Sequence, residues 1–228
     1  MHILVTGAAQ GLGLNLVTEA ASRGYFVYAA VRATSNIMAL NDIAEQYAGH
    51  VNIMTMDVTD QCQVNSCVNE IGQLDAVINN AAISLGNSET IETLDLDLVR
   101  QVLEVNLLGA MQVVQATLTL LKKRDNSVII NISSEAGTII NAYPTNYPYA
   151  ISKTALNMFS ERLRAYLLEH KIRVYAIHPG WMRTGMGGAE APADPRIIAS
   201  GILNIIEDKV RITSKISFID ATGRPMPL

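Results

Sequence analysis

The chain is short of charge. Only 17% of its 228 residues are charged, and the net charge is −4. No basic stripe marks a nucleic-acid surface, and no polybasic cluster marks a membrane patch. No apolar run approaches the roughly 18 residues that span a bilayer. Cysteine is scarce: Cys62 and Cys67 stand five apart with no histidine beside them. Zinc sites space their ligands more tightly and need four of them. The four histidines are scattered. No metal is expected, and two free thiols suit a reducing cytoplasm. Strand-like residues begin at position 2, which leaves no room for a signal peptide, so a cytoplasmic protein is expected. There is no short-period repeat and no low-complexity segment.

Apolar residues make up 49% of the chain, ample for one large core. The stretch around which they are organised is Thr6-Gly7-Ala8-Ala9-Gln10-Gly11-Leu12-Gly13. It joins a short apolar run, residues 2–5, to a helix-like run, residues 14–21. Glycine lets a ligand approach the main chain closely. A helix start offers unpaired N–H groups and the positive end of a dipole. A strand, a glycine-rich turn and a helix therefore form an anion cradle. Its spacing, Gly-x-x-x-Gly-x-Gly, differs from the common Gly-x-Gly-x-x-Gly dinucleotide fingerprint, and a tight turn without a ligand is the alternative.

The strand–helix alternation then repeats. Strands are expected at 25–30, 51–56, 75–78, 127–132, 172–177 and 215–219. Helices are expected at 35–47, from an Asp60 N-cap towards Ile71, at 95–122, from Pro148 to about 170, and at 196–207. Residues 183–195, rich in Gly, Ala and Pro, read as a loop. Seven apolar strands separated by helices predict an α/β fold: a single doubly wound Rossmann-type domain over 1–228, with a seven-stranded parallel sheet and helices on both faces. A ligand site belongs at the carboxyl ends of such strands. Thr6, Asn79, Ser134 and Pro179 all fall there.

Tyr149 and Lys153 stand four apart on a helix and share a face. A tyrosine titrates near ~10. A neighbouring ammonium favours the phenolate and lowers that value, which makes the pair a candidate general acid/base. Alone, Tyr-x-x-x-Lys also fits a solvated helix face. Ser133 and Ser134 compete for the strand-end position beside it. Tyr147 competes with Tyr149, but only Tyr149 has a lysine four residues on. Asn106 reads by itself as a polar residue on an exposed helix face, and Asp57 as a turn residue.

Taken together, the motifs Thr6-Gly7-x-x-x-Gly11-x-Gly13, Asp57-Val58, Asn79-Asn80-Ala81, Asn106, Ser134, Tyr149-x-x-x-Lys153 and Pro179-Gly180-x-x-x-Thr184 resemble the short-chain dehydrogenase/reductase family in order and spacing. The stretch from His178 to Gly188 and the tail Phe218-Ile219-Asp220-x-x-Gly223 are similar to small carbonyl reductases of the Sniffer and C-factor type. The resemblance implies a nicotinamide-dependent oxidoreductase with Asn106, Ser134, Tyr149 and Lys153 as its catalytic set. It implies a cofactor site formed by Gly7, Gln10, Gly11, Leu12, Gly13, Arg32, Asp57, Val58, Asn80, Ala81, Tyr149, Lys153, Pro179, Gly180, Met182 and Thr184. Within it Asn79 would order the sheet, Ser134 would bind the substrate carbonyl, and Tyr149 would pass the proton.

At the end of the second strand an NAD enzyme places an acidic residue and an NADP enzyme an arginine. Here Val31 takes the acidic position and Arg32 follows, so NADP(H) is expected ahead of NAD(H). Gln10 lacks the basic charge some NADP enzymes carry in the glycine turn. The expected substrate is a small or medium carbonyl or alcohol in a fairly open site, with Tyr143, Tyr147 and Trp181 as aromatic walls. The helices at 95–122 and 149–170 look apolar over more than one face, and the family pairs them, so a homodimer or homotetramer is expected. Ala82 stands where the family often has glycine, and the segment 134–149 is slightly long for it. A dinucleotide-sensing regulator on the same fold is the alternative function. A dehydratase or epimerase is a third, without clear further acid/base groups.

Overall fold

The computed structural model describes residues 1–140 and 142–228. Seven strands form one sheet: β1 (His2–Thr6), β2 (Phe26–Val31), β3 (Val51–Thr55), β4 (Ala76–Asn79), β5 (Val128–Ile132), β6 (Arg173–His178) and β7 (Phe218–Asp220). All neighbours run parallel, in the order β3-β2-β1-β4-β5-β6-β7. The order reverses beside β1, so the crevice above β1 and β4 is the switch point where such sheets bind ligands.

Side chains alternate across the sheet, and the two faces bury separate cores. Ile3, Val5, Val27 and Ile130 pack on one face with Leu16 of α1 (Gly11–Ser22), Leu40 of α2 (Met38–Gln46) and Ile202 of α7 (Pro195–Ile206). Leu4, Val77 and Ile129 pack on the other with Val64 of α3 (Gln61–Asn69), Val113 of α5 (Ala110–Leu121) and Leu163 of α6 (Tyr147–Leu167). Burying one such aliphatic side chain contributes about 1.5–3 kcal/mol.

Helix starts follow the capping chemistry. The Asp60 side chain accepts from Cys62 and Gln63 N–H, Asp95 caps α4 (Leu96–Leu103) through Asp97 N–H, and Asp194 caps α7 through Arg196 N–H. In contrast, Gln10 gives α1 no side-chain cap.

Four departures from the sequence pattern are found. The helix expected at 35–47 is Met38–Gln46, with Ser35 and Asn36 in the turn before it. The last strand is three residues long, Phe218–Asp220. The helix expected at 95–122 runs as α4, a π-helical turn Glu104–Gly109, and α5. Together they form a 26-residue stretch, Leu96–Leu121, long and apolar enough by length and composition to cross a membrane, which no single apolar run in the sequence suggested. Arg100, Glu104 and Asn106 interrupt the stretch in sequence, while Val102, Val113, Val114 and Leu121 are buried in the fold. Val113, Val114 and Leu121 pack in the core on the second face of the sheet.

Candidate active site

The carboxyl ends of the strands open into a cleft of about 790 Å³. At one end lies the glycine-rich turn. Gly7 has φ +65°, and a Cβ there would fall 2.9 Å from Ala81 Cα. A Cβ on Gly13 would lie 2.2 Å from the Gly7 carbonyl oxygen. The first presses the turn onto the loop after β4 and the second presses α1 onto the turn, and only glycine fits at either place. Gly7, Gln10, Gly11 and Leu12 line the cleft, while Gly13 packs behind the turn. The turn is tied to β4. The Thr6 hydroxyl accepts from Asn80 N–H (3.0 Å) and Ala81 N–H (3.1 Å). The Asn80 amide donates to Thr6 O (2.9 Å) and Gly7 O (3.1 Å). Asn79 is buried and donates to Asn131 Oδ1 at 2.8 Å, joining β4 to β5 beneath the cleft.

Because α1 has no side-chain cap, its first N–H groups remain open to an anion. Arg32, Thr34, Ser35 and Asn36 line the cleft beside β2. Asp57 and Val58 line it beside β3. Asp57 Oδ1 accepts from Thr59 N–H (2.9 Å) and Thr59 Oγ1 (2.8 Å), so it shapes its turn as well as facing the cleft. An anion cradle and a guanidinium in the same cleft are the donor set that the phosphates of a dinucleotide call for.

At the other end lie Ser134, Tyr149 and Lys153, all lining the cleft. Lys153 is buried, and its Nζ donates to the Ile132 carbonyl at 2.7 Å. Burial pulls its pKa down to about 7. The ammonium lies 5.4 Å from the centre of the Tyr149 ring. The expectation that this lysine lowers the tyrosine pKa is overturned. Burial raises the Tyr149 pKa, and only a hydrogen bond with Ser134 works the other way. The result is a phenol held in its protonated form.

The two strand-end serines differ. Ser133 donates to Asn157 Oδ1 at 2.5 Å and is buried. Ser134 Oγ accepts from Ala136 N–H at 3.1 Å, which leaves its own proton available to donate. Asn106 does not lie on an exposed face. It is buried within the π turn, accepts from Ile83 N–H (2.8 Å), and donates to Ile83 O (2.9 Å) and Ser152 Oγ (3.0 Å). It does not line the cleft but clamps the loop after β4 to α6.

Pro179, Gly180, Met182 and Thr184 line the cleft, as do Tyr143 and Trp181; Tyr147, expected as a third aromatic wall, does not. Tyr147 is the first residue of α6, and residues two apart on a helix do not share a face, so it does not follow Tyr149 into the cleft. The loop 183–195 is more ordered than its composition suggests. Trp181 Nε1 donates to Gly187 O (2.7 Å), Gly187 N–H to Thr184 Oγ1 (3.1 Å), and Arg183 Nη1 to Pro192 O (2.8 Å). Residues that sequence reasoning passed over also belong here. The Gly137 carbonyl accepts from Thr154 Oγ1 (3.1 Å) and Asn157 Nδ2 (3.3 Å), and a Cβ on Gly137 would lie 2.7 Å from Lys153 C. The turn carrying Ser134 is thus pressed onto α6. Only the glycine itself could have hinted at this.

The short chain dehydrogenase family model matches residues 1–194. The protein is a member of the short-chain dehydrogenase/reductase family. An uncharacterized oxidoreductase of Bacillus subtilis is 33% identical over 188 residues, 80% of this chain and 65% of the relative's length. The NADPH-bound carbonyl reductase from chicken fatty liver superposes with a TM-score of 0.87 at 28% identity, covering 100% of this chain and 98% of that one. The carbonyl reductase Sniffer of Drosophila melanogaster gives 0.88 at 27% identity, covering 100% and 99%. Membership makes the protein an NAD(P)-dependent oxidoreductase.

The buried lysine gives stability a pH dependence. Unfolded, Lys153 binds its proton at the ordinary 10.5; folded, it does so at about 7. Between these values the unfolded chain holds more protons, so stability rises with pH. Below about 7 the full cost of burying the charge is present. The cofactor-free protein is expected to melt at a higher temperature near pH 9 than near pH 7.5, and Lys153→Met is expected to flatten that rise. An equal rise in the variant would show that the lysine is not its source.

Proposed function

We propose that this enzyme reduces neutral, small or medium carbonyl compounds with NADPH, using one dinucleotide-binding domain over residues 1–228. The observation that carries the reading is the pairing of Tyr149 with Ser134 at one end of the cleft and Arg32 beside the glycine turn at the other. When bound, a reduced nicotinamide supplies the hydride. Gly7, Gly11 and the open N–H groups of α1 hold the pyrophosphate, and Gly13 keeps the turn tight. Arg32 pairs with the 2′-phosphate, in the place where an NAD enzyme has a carboxylate. Ser134 donates to the substrate carbonyl oxygen and stabilises its developing charge. Tyr149 gives its proton to that oxygen. Lys153 holds the ribose hydroxyls near Tyr149. Asn106 fixes the loop between the cofactor and α6.

The charges in the cleft support a neutral substrate. Among its lining residues the cations are Arg32 and Lys153, and Lys153 is already committed to Ile132 O. The guanidinium of Arg183 donates to Ala191 O and Pro192 O in the loop. Besides Lys153, the charged residue at the substrate end is Glu135, which repels an acid. NADPH oxidation is expected to be roughly tenfold or more faster in kcat/KM for a keto ester than for the parent keto acid. Equal or reversed preference, or no carbonyl reduced at all, would overturn this reading. A dinucleotide sensor without turnover would show the last of these outcomes.

Assembly through α4–α5 and α6 is part of the same proposal. Leu108, Ile151, Met158, Tyr166 and Leu168 are large apolar residues exposed along these helices. Sedimentation is expected to give a homodimer or homotetramer at micromolar concentration, and a monomer would contradict it. The free thiols Cys62 and Cys67 support a cytoplasmic setting. The domain assignment extends beyond the matched span because β7 pairs with β6, and Arg23, the residue after α1, reaches Asn204 and Glu207 at the end of α7.

A further inference from the structure

His178 ends β6, one residue before Pro179-Gly180, and forms part of the cleft wall. It has no place in the steps above. Its Nδ1 accepts the Glu135 backbone N–H at 3.0 Å. Glu135 opens the short 3-10 turn Glu135–Gly137 that follows Ser134. The other N–H groups of that turn have partners within it: Ala136 donates to Ser134 Oγ (3.1 Å) and Gly137 to Ser134 O (3.0 Å). Glu135 N–H depends instead on a side chain from the neighbouring strand. The far end of the turn is anchored separately, through Gly137 O to Thr154 and Asn157. Loss of the His178 bond would therefore free the end next to Ser134 and leave the rest of the turn in place.

An N–H can donate to Nδ1 only when that nitrogen carries its lone pair, so the ring proton sits on Nε2. Burial pulls the His178 pKa below its ordinary value, against the opposing pull of the Glu135 and Asp220 carboxylates, and this favours the neutral ring.

We propose that His178 is a positioning residue for carbonyl reduction: by accepting the Glu135 N–H across the ends of β5 and β6, it fixes the turn that aims the Ser134 hydroxyl at the substrate. This rests on the reading of Ser134 as the donor to the carbonyl. A displacement of about 1 Å at such a donor costs up to about a hundredfold in rate.

His178→Phe removes the acceptor and keeps a ring. His178→Asn places an amide oxygen about where Nδ1 stood. The Phe variant is expected to lose roughly ten- to a hundredfold in kcat on a keto ester, with KM for NADPH within about twofold of wild type. The Asn variant is expected to recover most of that loss. If the Phe variant does not fold, His178→Ala replaces it in the same comparison. Full kcat in the acceptor-free variant, an equal loss in the Asn variant, or a rise in the NADPH KM matching the fall in kcat would overturn the proposal. The nitrogen NMR spectrum of the wild type gives a readout independent of turnover: a protonated Nε2 and bare Nδ1 are expected, and a proton on Nδ1 would contradict the geometry. A wild type inactive on every carbonyl overturns the parent reading together with this one. An active wild type with an indifferent His178 overturns this one alone.

Discussion

Tyr149→Phe is expected to lower kcat by about 10²–10⁴-fold, the range ascribed to a lost general acid, while NADPH binds almost as before. The substitution removes one hydroxyl and keeps the ring that lines the cleft. The surrounding groups do not replace it. Ser134 is already assigned to hold the carbonyl oxygen, and Lys153 Nζ is held on Ile132 O, 5.4 Å from the centre of the Tyr149 ring. Lys153→Ala is expected to behave differently and to weaken both turnover and cofactor binding, since the lysine is assigned to both. Steady-state rates combined with a fluorescence titration of NADPH separate the two effects. Activity in Tyr149→Phe within about tenfold of wild type would remove the tyrosine from the mechanism.

The second large effect concerns the cofactor. Arg32→Ala is expected to weaken NADPH binding by roughly ten- to a hundredfold, the scale of one charge-assisted hydrogen bond, and to leave NADH nearly unchanged. Val31, at the position an acidic residue takes in NAD enzymes, is buried and offers no carboxylate to a ribose hydroxyl. Arg32 is exposed, so its contribution should shrink as salt is raised. Thr34, Ser35 and Asn36 line the same corner and can share the phosphate. Dissociation constants for both cofactors at low and high salt test this. An unchanged NADPH-to-NADH ratio in the variant, or equal affinities in the wild type, would count against Arg32 as the discriminating residue.

The parallel sheet was legible because each strand is a short apolar run and each helix start carries a recognisable signal. Asp60 and Pro148 announced α3 and α6, and the two glycines that admit no Cβ announced the tight turn between β1 and α1. What stayed hidden depends on partners far apart in sequence. A single π turn displaces the apolar repeat along 95–122 by about one residue, too small a shift to mark the break in the sequence. The partners of Asn106 lie 23 and 46 residues away. The helical spacing of Tyr149 and Lys153 put them on one face correctly, yet the sign of the tyrosine shift was set by burial, which spacing does not report. Residues 183–195 read only as a loop because they are small, and the tight contact at Gly187, where a Cβ would fall 2.1 Å from Met182 O, has no local signature. His178 was visible only as a neighbour of Pro179-Gly180, since its partner is a backbone amide 43 residues away.

The central claim is hydride transfer from NADPH to a neutral carbonyl carbon in this cleft. It is tested most directly by supplying NADPH deuterated at the nicotinamide C4 with a keto ester and locating the label in the product by mass spectrometry and NMR. The expected result is deuterium on the new carbinol carbon of the hydroxy ester, with product formed in step with NADPH consumed and none formed by Tyr149→Phe. NADPH consumption without label in the product, or label transfer that continues undiminished in Tyr149→Phe, would contradict the account.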